Sequence, residues 1–481
     1  MTGFAAFARG SGQRGPAYLA VSRGTCHLSR ERDGGGAVLG EWTIVPDFGH
    51  AGLSAWFCVN VLIGLIWLRR HIDLNRGKNE PVLRADEPGP ATAHLPSVSF
   101  LVAAKDEDAN LHRCVDGLLA QDYPRLQIVV IDDRSTDRTG AIIDEYARRE
   151  QRFTAVHVEQ LREGWFGKNN AMREGVARAS GEWLCFSDAD CCYDSPHLLA
   201  AAMRFALRER VDVLSVLPRL EAGTFWERVV QPVAGAIMVF WFPPQRVNDP
   251  AAPTAYANGA FLLMSRRTYE ALGGHEPVRA TLNEDMHIAR RTKQAGLRLR
   301  VIRGGDLYRV RMYVGLKAIW RGWSRIFYGC FGTFPRLLAS VLMLSVLSVS
   351  PYLTLALSPL AARGAAWLAA GAAIAILAQQ SVLWRFYRVT GNGRAWALTY
   401  PFGALLCLGM TLNAMRRLGG AVETTWRGTS YRGGASACEP SSEAVKRFEE
   451  GRSSPVAQPD PAGTGPACVT GSAPTNPSAS I

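Results

Sequence analysis

The chain has 481 residues, 48% of them hydrophobic and 20% charged, which is enough to bury a large core and to form about two or three domains. Its net charge of +12 comes without a basic stripe interleaved with aromatics, which argues against nucleic acid; the arginines crowd the edges of apolar segments, as at a membrane surface. The ten cysteines include no C-x-x-C pair and no short disulfide-like framework, which favours a reduced compartment for the central part and argues against a zinc site.

Met1 to about Glu41 is rich in Gly, Arg and Ser, has no periodic apolar face and lacks signal-peptide anatomy. Residues 1–47 therefore read as a disordered leader. From Phe48 to Leu68 the chain is apolar and free of charge, and Arg69-Arg70-His71 follow at once. A stretch of about 20 apolar residues crosses a bilayer as a helix, and the arginines place its C-terminal end in the cytoplasm. The bland alternative is a buried helix of a soluble domain. A Pro/Gly-bearing linker, Pro81 to Pro96, leads into a globular part expected over 97–310.

Val98 to Ala104 reads as a buried strand, followed by Lys105-Asp106-Glu107-Asp108, with a helix from Leu111 to Ala120. Gln127 to Ile131 is a second strand, ending in Asp132-Asp133. Asp137 is placed to cap a helix that runs to Arg149. Phe153 to Val158 is a third strand, and Gly164-Trp-Phe-Gly-Lys168 leads into a helix ending at Ala179. A short apolar run, Glu182 to Phe186, entered from Gly181, is a fourth strand and delivers Asp188-Ala189-Asp190. Strands alternating with helices predict a doubly wound, mostly parallel α/β sheet. Ligands bind beyond the C-terminal ends of such strands, where the acids at 106–108, 132–133 and 188–190 all fall.

An Asp-x-Asp alone is weak, since it is common in exposed turns. Three acidic clusters on one sheet edge are harder to dismiss. Carboxylates of this kind hold a hard divalent cation, Mg²⁺ or Mn²⁺, with coordination left for a phosphate. Lys168 adds a point charge suited to a diphosphate leaving group. Gly164 to Lys168 is not a P-loop: two residues separate its glycines, where four are needed, and Asn169 replaces the Ser/Thr. Cys191 and Cys192 read as packing residues rather than ligands.

Val211 to Leu217 is a further strand, and the aromatic run Phe240-Trp241-Phe242-Pro243-Pro244, in a variable region, is too short to span a membrane and reads as core, with a lipid-facing surface as the alternative. Asn258 to Met264 reads as a strand and Gly273-Gly274-His275 as a turn. Asn283-Glu284-Asp285 opens a helix. The bland account is that these acids complement the helix dipole; the sharper one is that a carboxylate points into the cleft as a general base.

In order and spacing, Ala103-Ala-Lys-Asp-Glu107, Asp132-Asp133, Phe186-Ser-Asp-Ala-Asp190 and Asn283-Glu-Asp285 resemble glycosyltransferase family 2 with a GT-A fold. Gly164-Trp-Phe-Gly-Lys168, Asn258-Gly259, Gly273-Gly-His275 and Trp426-Arg-Gly-Thr-Ser-Tyr431 resemble its membrane-bound branch, which contains hopanoid-associated, carotenoid and ceramide-type enzymes. The resemblance implies a nucleotide-diphospho-sugar donor, bound through Glu107, Asp133, Lys168 and Asp188, with Asp188 and Asp190 serving the metal. It implies Asp285 as the base, favoured over Glu284. Helical spacing supports this: Ile288 and Ala289, three and four residues on, share the Asp285 face and are expected to pack inward, leaving Glu284 nearer solvent. Asn258, Gly259, His275, Glu284, Arg321 and Trp323 are the acceptor-side candidates. The chain departs from the family at Ala103, where proline is usual, and at Asp106, where asparagine is usual. It also lacks an intact Gln-x-x-Arg-Trp signature, the nearest run being Trp320-Arg-Gly-Trp-Ser-Arg325. That favours transfer of a single sugar over chain extension.

Tyr313 to Phe327, within a 311–330 segment, has an amphipathic pattern suited to a headgroup layer, or to an ordinary surface helix. Leu337 to Leu357, Ala365 to Leu383 and Ala395 to Met415 are each long enough to cross a bilayer. Residues 433–481, rich in Gly, Pro and Ser, read as a disordered tail. Three crossings after a cytoplasmic domain would leave the C-terminus outside, yet Arg416, Arg417, Arg427 and Arg432 follow the last. Either one segment is re-entrant or the charge bias loses. The expected protein is an integral enzyme of the inner or plasma membrane with a cytoplasmic catalytic part. It would move a sugar to a hopanoid, carotenoid, sphingolipid or polyprenyl type of lipid. A processive polysaccharide synthase and a non-catalytic nucleotide-binding scaffold are the alternatives.

Overall fold

The computed structural model describes residues 50–78, 80–361, 364–418, 424–426 and 429–431. The expected leader and tail, together with Arg427 and Arg432, lie outside the described residues. The chain divides into two compact units. One gathers the first helix, residues Phe225–Ala234 and residues Thr333–Met415; the other gathers Asn79–Thr224 and Gly235–Gly332.

The first helix, α1 (His50–Lys78), continues past Leu68 and the two arginines, because no proline or glycine stands between Leu68 and Gly77. The second unit then alternates as expected: β1 (Val98–Ala104), α2 (Asp108–Leu119), β2 (Leu126–Asp133), α3 (Thr139–Arg149), β3 (Phe153–Val158), α4 (Gly167–Arg178), β4 (Trp183–Asp188). There follow β5 (Cys191–Tyr193), α5 (Leu198–Arg208), β6 (Val213–Leu217) and β7 (Arg219–Leu220), then α6 (Phe225–Trp241), which enters this unit only from Gly235, and α7 (Pro244–Asn248). The unit closes with β8 (Leu262–Ser265), α8 (Arg266–Ala271), α9 (Glu284–Gln294), β9 (Leu299–Arg303), β10 (Tyr308–Val310) and α10 (Gly315–Phe331).

The main sheet has the order β3-β2-β1-β4-β8-β6-β9, and only β8 runs against its neighbours. β1 and β2 are buried almost throughout, as strands covered by helices on both faces must be. Register sets the acids side by side: Ala104 pairs with Asp132, and Ala103 with Asp188. A Cβ on Gly181 would lie 2.4 Å from the Ser99 amide nitrogen, so glycine is what lets the chain enter β4 against β1. Phe100 on β1 meets Tyr193 and Phe261 edge-on. Burying such a ring contributes about 1.5–3 kcal/mol. β5, β10 and β7 form a small second sheet, which seats Cys191 and Cys192 as buried packing residues.

Three local expectations need correction. The aromatic run at Phe240 is core only in part: Phe240 is exposed and Trp241 half-buried where they end α6, and Phe242 is buried; α6 itself runs through Pro232 and Gly235, which read as helix breakers in the sequence. Asn258 to Phe261 is not strand, because the Asn258 Oδ1 accepts the Ala260 N–H (2.9 Å) and turns the chain; β8 starts only at Leu262. Helix α3 starts later than a cap at Asp137 implies, although the Asp137 Oδ1 does accept the Thr139 N–H (2.9 Å).

The first unit also contains α11 (Phe334–Met343), α12 (Ser350–Leu357), α13 (Ala365–Val389) and α14 (Tyr400–Leu418). Among the described residues, four helical stretches are long and apolar enough to cross a membrane: Ala51–Gly77, Phe334–Leu360, Ala365–Val389 and Arg394–Leu418. A π-helical turn, Leu344–Val349, joins α11 to α12. Pro351 has no N–H for the Leu347 carbonyl four residues back. Trp67 Nε1 (2.8 Å) and Gln379 Nε2 (3.3 Å) donate to that carbonyl instead, as an apolar surrounding demands. Gly371 lets α13 approach α1, since a Cβ there would lie 3.1 Å from the Phe57 ring. Near the C-terminus, β11 (Thr424–Trp426) and β12 (Thr429–Tyr431) pair antiparallel.

Candidate active site

The loops leaving β1 and β2 hold each other. The Asp106 Oδ1 accepts the Thr136 N–H (2.8 Å), and the Glu107 N–H donates to Thr139 Oγ1 (2.8 Å). Lys105 Nζ donates to the carbonyls of Asp133 (3.0 Å) and Arg134 (2.9 Å), tying the two strand ends together. Asp106 and Arg134 both adopt positive φ, 52° and 58°, a backbone cost accepted where a loop is closely specified. Glu107 and Asp133 are buried. Glu107 Oε2 accepts from Asn110 (2.8 Å), and Asp133 Oδ1 from Arg134 Nε (2.8 Å).

Lys168, in the first turn of α4, joins β4 to α9. Its Nζ lies 2.6 Å from Asp188 Oδ1 and 2.7 Å from Glu284 Oε1. Burial works to lower the Lys168 pKa, but Asp188 and Glu284 outweigh it and hold the ammonium well above its usual range. Glu284 is thus buried in an ion pair, not nearer solvent as the helical-face argument expects; the lysine offsets its desolvation. Asp285 accepts N–H bonds from Gly259 (2.8 Å) and Met286 (2.7 Å). Burial first, and Glu284 second, raise its carboxyl to about 7, against the opposing pull of Lys168. A Cβ on Gly259 would sit 3.1 Å from Lys168 Nζ and 3.4 Å from Asp285 Oδ2, so glycine there keeps the charge cluster closed around Asp285.

These groups share one cavity of about 500 Å³. Glu107, Asp133, Lys168, Asp188, Asp190, Asn258, Gly259, Glu284, Asp285 and Trp323 all line it. Two sequence candidates do not. His275 is buried behind Phe186, its Nδ1 2.8 Å from the Tyr269 hydroxyl, and burial lowers its pKa to about 3, so it is neutral and part of the packing. Arg321 is exposed on α10, while Trp323 and Phe327 of the same helix are buried. Sequence reasoning passed over Lys105, Gly235, Met238, Tyr256, Tyr313 and Arg325, which also line the cavity. Lys105 and Arg325 carried a signal, the first inside the Ala103-to-Glu107 motif and the second as the last residue of the Trp320-to-Arg325 run.

Residues 99–273, which carry β1 to β8 and the acid edge, match the sequence profile of Glycosyl transferase family 2. The matched segment is a family 2 glycosyltransferase domain, and it lies on the mostly parallel α/β sheet described above. The chain is 24% identical over 266 residues to a 4,4'-diaponeurosporenoate glycosyltransferase of Staphylococcus aureus, covering 54% of this chain and 69% of that one. It is 29% identical over 255 residues to a beta-monoglucosyldiacylglycerol synthase of Synechocystis sp., where the match spans 51% of this chain and 50% of the relative. A solved mannosyltransferase from Pyrobaculum calidifontis, in complex with GDP-Man and Mn²⁺, aligns at 22% identity and a TM-score of 0.42, covering 73% of this chain and 97% of that one.

No three His, Cys, Asp or Glu side chains form a metal cage among the described residues. Asp188 and Asp190 nonetheless line the cavity one residue apart. Mg²⁺ commonly takes one or two carboxylates, keeps several waters and completes its shell with substrate phosphates. The residues present fit a cation bound jointly with a diphosphate.

Proposed function

We propose that the protein transfers one sugar from a nucleotide-diphosphate donor to a lipid hydroxyl at a membrane face, with inversion at the anomeric carbon. Asp285 accepts the proton of the acceptor hydroxyl. That oxygen attacks the anomeric carbon as the bond to the diphosphate oxygen breaks, and the electron pair leaves on the diphosphate. Glu284 keeps Lys168 directed at Asp188, where its charge faces the leaving group. Mg²⁺ or Mn²⁺, held by Asp188 and Asp190, would neutralise phosphate charge when bound.

The observation that carries this reading is the composition of this cavity. One wall is acidic and lies at strand ends, and another is apolar, with Met238, Phe242, Trp323 and Ile326. A diphosphate suits the first and a lipid suits the second. The names of the two relatives support it, since 4,4'-diaponeurosporenoate and monoglucosyldiacylglycerol are both lipids. Arg69-Arg70 after the first apolar stretch support a cytoplasmic catalytic part, where nucleotide sugars are made. Cysteine labelling in the 81–96 linker should report an inside location.

The deciding experiment is mass spectrometry of lipids from cells with and without the gene, paired with the purified full chain in nanodiscs given nucleotide sugars. A lipid gaining one hexose-sized unit is expected. Long polymer products would indicate a processive synthase, and sugar release to water alone would sink the lipid-acceptor reading.

A further inference from the structure

Gly235 lies inside α6 and in the cavity wall. Glycine within a helix is destabilising relative to alanine, so its presence calls for a reason. Other glycines of this unit have one in the protein: a Cβ on Gly175 would lie 2.6 Å from Ile131, and one on Gly322 would lie 2.2 Å from the Tyr313 ring. At Gly235 a Cβ would meet no atom of the described residues within 4 Å. The space it leaves open belongs to the cavity. Met238 and Val239, three and four residues on, share that helical face and line the same cavity.

A second observation comes from α10. Trp323 is 4% exposed and lines the cavity, yet its indole N–H has no hydrogen-bond partner among the described residues. Buried indole N–H groups usually have one. An open apolar notch and a dry, unused donor in one cavity describe a ligand with an apolar body and a polar oxygen.

We propose that Gly235 and Trp323 form the acceptor notch and set acceptor specificity: the bulky apolar body of a lipid alcohol lies over Gly235 against Met238, and the Trp323 N–H donates to an oxygen of its head. The inference rests on the lipid-acceptor reading above and adds the residues that select the acceptor. Because no atom of the described residues occupies the space, a side chain introduced at 235 fills the notch directly and competes with the acceptor body.

The full chain in nanodiscs is assayed with UDP-glucose, UDP-N-acetylglucosamine and GDP-mannose as donors. The acceptors are n-octanol and four lipid alcohols: diacylglycerol, ceramide, a polyprenol and a polycyclic triterpenol. Gly235→Leu is expected to lower the ratio of lipid-alcohol to octanol transfer by about tenfold or more, with donor Kd unchanged. Trp323→Phe keeps the ring and removes the donor, and is expected to raise KM for the lipid alcohol by about tenfold. A Gly235→Leu chain with the wild-type ratio overturns the notch while leaving lipid transfer standing. Should Gly235→Leu fail to fold, Gly235→Ala and Trp323→Phe decide, and wild-type ratios in both overturn the proposal. A wild-type chain that uses no lipid alcohol overturns the lipid-acceptor reading and the notch with it.

Discussion

The two walls of the cavity are built by different physics. Along the strand-end wall, charged groups are tied down: Lys105 binds two carbonyls, Lys168 bridges Asp188 and Glu284, and two backbone N–H groups hold Asp285. Buried charge demands such partners, so position and chemistry there are coupled. Along the helix wall, Gly235, Met238 and Val239 of α6 and Ile326 of α10 offer shape and apolar surface. Shape discriminates among substrates by modest factors, whereas a placed charge acts on the bond being broken. Substitutions on the first wall should therefore remove chemistry, and those on the second should redirect it.

The largest effect expected on the strand-end wall comes from the cation. EDTA should reduce turnover to background, restored by Mg²⁺ or Mn²⁺, and Asp190→Ala should do the same while circular dichroism and Tm remain those of a folded protein. Full activity in chelator would remove the metal from the scheme. Replacing Cys191 and Cys192 with Ser should leave metal dependence as it was, since both are packing residues.

Next in size is Asp285→Asn, which keeps shape but cannot take a proton. A kcat loss of about 10²–10⁴-fold is expected, with donor Kd retained. Glu284→Gln tests the assignment from the other side. It leaves Lys168 paired to Asp188 alone, and a larger kcat loss than that of Asp285→Asn would mean the wrong carboxylate is named the base.

The pH profile gives a smaller, graded effect. Asp285 is raised to about 7 by burial and by Glu284, and only its ionised form accepts a proton. The rate should thus fall about tenfold per unit as pH drops below about 7, and this limb should vanish in Asp285→Asn. Stability has the opposite sign. Between the ordinary carboxylate pKa of about 4 and this raised one, the folded state holds a proton that the unfolded state has lost, so this group's contribution declines as pH rises through that window. A pH-independent kcat/KM from 5 to 9 would contradict both the burial argument and the role.

The strand-end wall is legible in the sequence for a local reason. β1, β2 and β4 are continuous apolar runs, each followed within a few residues by acids, so one rule of sheet topology brings Glu107, Asp133 and Asp188 together. The helix wall is not legible in this way. Gly235 and Pro232 suggest a broken helix, and nothing in the local sequence says that the glycine faces a cavity. His275 and Arg321 failed as cavity residues because a motif gives a residue's order in the chain but not the direction of its side chain. Glu284 shows the limit of helical-face arguments at a helix's first residue: a lysine from another element, not the helix's own periodicity, decided its burial.

The smallest expected effect tests whether the strand-end wall depends on its supports as well as its charges. Asn169 follows Lys168 and is fully buried. Its Nδ2 lies 2.7, 3.2 and 2.9 Å from the carbonyls of Val278, Arg279 and Thr281. Those carbonyls belong to the loop that delivers Asn283, Glu284 and Asp285. The Phe166 N–H also donates to Arg279 (2.6 Å), so the start of α4 carries both the lysine and the loop. Asn169→Ala removes the side-chain donor from the Thr281 carbonyl, while the Val278 and Arg279 carbonyls keep the Thr281 and Phe166 donors, with an expected stability loss of about 1–3 kcal/mol. If the clamp sets the distance between Lys168 and the Glu284-Asp285 pair, kcat should fall several-fold while donor Kd stays unchanged. A variant that loses stability but keeps wild-type kcat at a temperature where it is fully folded would show that the clamp holds the loop without positioning the base.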